Sequence, residues 1–144
     1  MRIAVGADHA GYALKERIAA RLRKAGHDIV DCGCHSEESV DYPEFGAAVG
    51  RAVAGGECER GILVCGTGIG IGMAANKVPG IRAASVHDRF TAEMSRRHND
   101  ANVLCLGARV MDAKHAEEVA EFWLGLPFDG GRHERRVGKI NALD

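Results

Sequence analysis

The chain has 144 residues, 46% apolar and 27% charged, with 19 glycines and a formal net charge of -1. That length buries a real core in one domain, residues 1–144, without staples, and the near-neutral balance supplies no broad basic field for nucleic acid. No run approaches the roughly 20 apolar residues of a membrane span, and Met1-Arg2-Ile3-Ala4-Val5-Gly6 is too short for a signal peptide, so a cytoplasmic protein with neither nucleic-acid nor membrane partner is expected.

In chain order, Ile3 to Gly6 reads as a short buried strand, and Tyr12 to Lys24 as a helix with Leu14, Ile18 and Leu22 on one face, closed by Gly26. Asp28 to Cys32 is a second strand and Pro43 to Ala54 a second helix. Between them, the polar loop Gly33 to Asp41 is expected to border a cleft. Gly61 to Cys65 is a third strand running into a glycine-rich turn, after which Met73-Ala74-Ala75-Asn76 reads as helix. Arg82 to Val86 and Val103 to Leu106 complete five strands, with helices over Arg89 to Arg97 and Ala113 to Leu124, the latter turning Val119 and Trp123 inward. Gly125-Leu126-Pro127 breaks that helix. The segment 125–144 therefore ends in a separate arginine-rich helix, Arg132 to Leu143, suited to packing on a partner subunit. Short apolar strands alternating with amphipathic helices predict an α/β fold, a five-stranded parallel sheet covered on both faces.

Ligands of open parallel sheets bind at the carboxyl ends of the strands. There the sequence places Asp8-His9, Cys65 with the turn Gly66-Thr67-Gly68-Ile69-Gly70, His87-Asp88-Arg89, and Arg109. A thiol at a helix N-terminus has a lowered pKa and takes protons as thiolate, while glycines let backbone N–H groups approach an anion. Against this stands the plainer reading of Cys65 as a buried structural thiol and of the glycines as helix-to-sheet packing. Asp8 also fits a helix cap, and His98-Asn99-Asp100 a polar helix end. Arg132 and Arg136, four apart, suit a phosphate held between two guanidiniums, or else a solvated basic face. The glycine spacing is not that of a dinucleotide fingerprint, although Asp88 lies near the place of a ribose-binding acid, and no P-loop lysine follows. The five cysteines are odd in number and lack paired Cys-x-x-Cys spacing; Cys32-Gly33-Cys34-His35 has no second ligand cluster, so neither metal nor cofactor is expected.

The segments Gly6-Ala7-Asp8-His9-Ala10-Gly11, Asp41-Tyr42-Pro43, Cys65-Gly66-Thr67-Gly68-Ile69-Gly70, Ala75-Asn76-Lys77, Ser95-Arg96-Arg97-His98-Asn99-Asp100 and Gly130-Gly131-Arg132-His133-Glu134-Arg135-Arg136 together resemble the type B ribose-5-phosphate isomerase family, within the wider sugar-phosphate isomerases that include galactose-6-phosphate isomerase subunits. The resemblance covers nearly the whole chain. It implies a Rossmann-like three-layer sandwich, a homodimer or dimer of dimers with shared sites, and metal-free interconversion of ribose 5-phosphate and ribulose 5-phosphate. By position, Cys65 resembles the general base, Thr67 its assistant, and Gly66 to Gly70 the anion hole. His98 resembles the ring-opening acid, with Asp8 and Asn99 on sugar hydroxyls and Tyr42 lining the site. His9, Arg109, Arg132 and Arg136 resemble the phosphate set. Other sugar phosphates, a non-catalytic phosphosugar-binding module and, last, a nicotinamide enzyme are the alternatives.

Overall fold

A computed structural model describes residues 1–144. The strands are β1 (Arg2–Ala7), β2 (Asp28–Asp31), β3 (Arg60–Cys65), β4 (Ala83–Ser85) and β5 (Val103–Gly107). The helices are α1 (Tyr12–Lys24), α2 (Tyr42–Ala54), α3 (Ile69–Asn76), α4 (Arg89–Arg97), α5 (Ala113–Leu124) and α6 (Arg132–Asn141). All strand pairings are parallel, in the order β2-β1-β3-β5-β4.

The layers follow from alternation along the strands. Ile3, Val5, Ile62, Val64, Leu104 and Leu106 face one core with α1, α4 and α5, where Leu14, Ile18, Leu22, Ala92, Val119 and Trp123 pack. Their neighbours Ala4, Leu63, Cys65, Val103 and Cys105 face the other core, with Val49 of α2 and Ile71 and Ala75 of α3. Both faces are covered, which is why these strands are apolar throughout. Right-handed crossovers explain the sides: steps from β1 to β2 and from β4 to β5 run one way along the sheet and put α1 and α4 on one face, while steps from β2 to β3 and β3 to β4 run the other way and put α2 and α3 opposite.

The strand order places a switch point between β1 and β3, so the crevice opens between the ends that carry Asp8 and Cys65. α3 starts at Ile69, a full turn before the expected Met73. Its glycines are the reason, because they let α3 lie close to its neighbours. A Cβ on Gly72 would sit 2.8 Å from Ser85 Oγ, and one on the facing Gly46 of α2 would sit 2.6 Å from Ile71 O.

A buried cation that periodicity hides braces the end of β2. Lys15 is 1% exposed, and its Nζ donates to Asp31 Oδ1 and Oδ2 at 2.8 and 2.9 Å and to Cys34 O at 2.7 Å. Its third neighbour is Glu16 at 3.1 Å. Lys15→Met is expected to lower the free energy of urea unfolding by about 3 kcal/mol, because Asp31 keeps its charge in a half-buried place without its partner. Lys15→Met combined with Asp31→Asn should recover much of that loss; equal instability of the single and double variants would mean that packing, and not the stranded carboxylate, is the cause.

Candidate active site

A cleft of about 440 Å³ lies at the carboxyl ends of β1, β3 and β5, lined by Asp8, Tyr42, Cys65, Gly66, Thr67, Ile69, Gly70, Met73 and Arg109. Cys65, the last residue of β3, is 4% exposed. The chain then turns sharply: Gly68 has φ +78°, a left-handed conformation that side chains disfavour, and a Cβ there would lie 2.9 Å from the backbone of Leu106. This turn brings the Gly68 N–H back onto Cys65, where it donates to Sγ at 3.1 Å. The thiol thus faces a backbone donor at the start of α3, where the helix dipole favours negative charge.

The walls come from three other elements. Asp8, 7% exposed, accepts from the Gly11 N–H at 3.0 Å and so shapes the turn before α1, whose N-cap is Gly11 with no side-chain cap; it also borders the cleft. Tyr42 lies over Gly70, whose Cβ would come within 2.6 Å of the ring, so glycine at that place is what admits the phenol. Arg109 hydrogen-bonds through its backbone N–H to Gly66 O at 3.0 Å, and its guanidinium passes over Gly66. Thr67 Oγ1 accepts from the Ile69 N–H at 3.2 Å, which bends its hydroxyl into the turn.

Not every expected residue reaches this cleft. His9 stands beside it, its Nδ1 lying 3.1 Å from Val40 N and 3.2 Å from Val40 O. The loop from Gly33 to Asp41 does not line the cleft; it touches the border through His9, and Tyr42 directly after it supplies the wall. Gly68 lies buried beneath the surface of the turn. His98, the C-cap of α4, stacks on His133 of α6 with ring centroids 4.1 Å apart. Arg132 and Arg136 are exposed on α6. Asn99 borders a separate cavity of about 540 Å³ shared with Asn76, Arg82, Ile140 and Leu143. None of these four lines the Cys65 cleft. His98, Arg132 and Arg136 gather around His133, whose imidazole is held below its ordinary value, first by partial desolvation and then by their charges, with Asp129 opposing. An anion placed there would relieve that repulsion.

Met73 is the lining residue that sequence reasoning missed. Helical spacing held the signal, since Met73 stands four residues after Ile69 and shares its face; both are exposed, at 65% and 49%. With Tyr42 at 41% they make an apolar rim around a polar cleft.

Comparison with known proteins gives concordant results. The model of the Ribose/Galactose Isomerase family matches residues 3–140. The chain is 47% identical over 143 residues to ribose-5-phosphate isomerase B of Escherichia coli K12, covering 99% of this chain and 96% of that protein. The structure of ribose-5-phosphate isomerase B from Clostridium thermocellum superposes with a TM-score of 0.98 at 55% identity, covering 99% of this chain and 97% of the other. That of the Mycoplasma genitalium enzyme with bound ribulose-5-phosphate superposes at 0.94 with 39% identity, over 99% and 95%. Likeness on this scale in both sequence and fold means that the chain belongs to the Ribose/Galactose Isomerase family.

Proposed function

We propose that this chain, as one domain over residues 1–144, is an aldose-ketose isomerase that interconverts ribose 5-phosphate and ribulose 5-phosphate. The observation that carries this reading is the pairing of the Cys65 thiol with the Gly68 N–H at the mouth of a polar cleft. In the open-chain aldose, the thiolate of Cys65 takes the proton from C2; the electron pair moves into a C1–C2 double bond and the aldehyde oxygen becomes an enediolate O⁻. The turn's N–H groups are suited to that developing charge. Returning the proton to C1 while the C2 hydroxyl proton passes to the former aldehyde oxygen yields the ketose. Thr67, on this reading, steadies the turn through Ile69, and Asp8 and Tyr42 take sugar hydroxyls.

The phosphate asks for more positive charge than Arg109 alone supplies in the cleft. We assign that need to a second copy of the chain, whose Arg132 and Arg136 would approach together with His98 for ring opening and Asn99 for a sugar hydroxyl, with His9 beside them. The apolar rim of Tyr42, Ile69 and Met73 supports contact with another surface, as does the single buried residue of α6, Val137. The reading thus includes a homodimer or dimer of dimers. No helix is long and apolar enough to cross a membrane, and the five free cysteines suit a reducing compartment, so the setting proposed is the cytoplasm.

Proton NMR of the protein with ribose 5-phosphate in D₂O tests the reaction. Ribulose 5-phosphate carrying solvent deuterium at C1 is the expected product, with chelator making no difference. Exchange with a hexose or tetrose phosphate in place of ribose 5-phosphate would keep the chemistry and change the substrate. Binding of the sugar phosphate with neither exchange nor conversion would leave a phosphosugar-binding module.

A further inference from the structure

Four consecutive carbonyls of the glycine turn, those of Cys65, Gly66, Thr67 and Gly68, are each held by a hydrogen bond. The segment after β5 holds the first two through its backbone, Ala108 N–H donating to Cys65 O at 2.9 Å and Arg109 N–H to Gly66 O at 3.0 Å. The other two are held by side chains at the end of β4. Ser85 Oγ donates to Gly68 O at 2.7 Å, and His87 Nε2 lies 2.9 Å from Thr67 O. A carbonyl has no proton to offer, so His87 is the donor, and both the Nε2–H tautomer and the imidazolium serve that purpose.

Each bond fixes more than an oxygen. A trans peptide is planar, and its C=O and N–H point to opposite sides. Holding Thr67 C=O on the β4 side therefore aims the N–H of the same peptide, that of Gly68, the other way, where it meets Cys65 Sγ at 3.1 Å. The next peptide repeats the arrangement: Ser85 holds Gly68 C=O, and the Ile69 N–H donates to Thr67 Oγ1. A donor on the carbonyl also polarises the amide, so its N–H becomes a better partner for a charged sulfur than for a neutral thiol. His87 is well placed to hold this geometry. The Val86 N–H donates to Cys105 O at 3.1 Å, and Asp88 caps α4 by accepting from the Thr91 N–H at 2.7 Å, so the backbone is anchored on both sides of the imidazole.

We infer that His87 is a positioning residue for Cys65: by holding the Thr67 carbonyl it aims the Gly68 N–H at the sulfur and favours the reactive thiolate. The consequence for turnover rests on the isomerase reading given above; the effect on the thiol does not. His87 touches no substrate in this account and acts through one peptide group.

The test compares two substitutions of similar size, His87→Gln, which keeps an N–H donor, and His87→Leu, which has none. Cys65 alkylation by iodoacetamide at pH 7 is followed by peptide mass spectrometry, beside steady-state kinetics with ribose 5-phosphate and a thermal melt. His87→Leu should slow Cys65 alkylation about three- to tenfold, the worth of one hydrogen bond, and lower kcat by a similar factor with KM within about twofold. His87→Gln should restore most of both. Ser85→Ala, which frees the following peptide instead, should leave Cys65 alkylation within about twofold of wild type. The inference is overturned if Cys65 reacts at the wild-type rate in a folded His87→Leu, or if Gln and Leu slow it equally. It is also overturned if Ser85→Ala slows it as much. Slower alkylation in His87→Leu, with no turnover of ribose 5-phosphate by the wild type, would support the thiol geometry while removing ribose 5-phosphate as the substrate.

Discussion

Cys65→Ala is expected to lower kcat for ribose 5-phosphate by about 10⁴-fold, the upper range for loss of a general base, equivalent to about 5 kcal/mol of activation free energy. The fold should survive, because the change removes one sulfur from a site at the edge of the second core. A cost on the order of 1 kcal/mol in unfolding free energy is expected. Binding should survive too, since Arg109 and the proposed phosphate set do not depend on the thiol; calorimetric titration with the sugar phosphate should give a Kd within a few-fold of wild type. Solvent deuterium incorporation is the sharper readout, because it reports the proton transfer itself. Turnover within tenfold of wild type would remove Cys65 from the role of base. A variant that neither binds nor exchanges would instead give the thiol a part in forming the cleft.

A second thiol makes the control. Cys105 lies on β5 opposite Leu63, two residues before the Cys65 position on the same face, and is completely buried. Burial pushes its thiol far above the ordinary range, with the neighbouring Cys65 adding to the effect. Cys32 is likewise pushed up to about 11, chiefly by burial. Neither has a backbone donor of the kind that Gly68 offers Cys65. From sequence, Cys65 and Cys105 look alike, each a thiol in or ending an apolar strand. What separates them is the left-handed Gly68, which closes the turn back onto one sulfur only.

The same contrast marks what the chain discloses and what it withholds. Strand and helix positions are legible because burial on both faces leaves continuous apolar runs, and the order of elements alone brings Asp8, Cys65 and Arg109 to one edge of the sheet. The strand order is not legible, since nothing local tells β5 to insert between β3 and β4. Yet that insertion sets Gly107 and Arg109 against the glycine turn. Lys15 eluded periodicity because its charge is satisfied by Asp31, sixteen residues on, in another element. The place of His87 at the sheet edge is legible, but its partner is not, since Thr67 lies across a crossover. Long-range polar pairs of this kind have no period. His98, Asn99, Arg132 and Arg136 are legible by motif, but their absence from the Cys65 cleft follows only from the fold, in which His98 ends α4, the arginines lie on α6 and Asn99 lines the other cavity.

That separation leads to the second large effect. Cys65→Ala and His98→Ala, each nearly inactive alone, should together regain about a quarter of wild-type activity when co-expressed and purified as a random mixture through one tag common to both. In a shared-site dimer, each pure variant lacks one needed group in both sites. A mixed dimer has one site missing both groups and one site complete, and random pairing makes half of the dimers mixed. Motion within one chain is a poor substitute for this arrangement. His98 is stacked on His133, and Asp100, two residues on, is locked: it holds φ +48° while Arg82 Nε donates to its carbonyl at 3.0 Å and Arg96 Nη1 to its carboxylate at 2.9 Å. Arg96 also donates to Ala101 O at 2.6 Å and is 2% exposed, so swinging His98 toward Cys65 would mean breaking a buried cationic brace at about 3 kcal/mol or more. Rigid docking of a second copy needs no such break. A mixture that stays inactive while native mass spectrometry shows mixed dimers would assign His98 to its own chain's cleft, and the shared-site reading would fall.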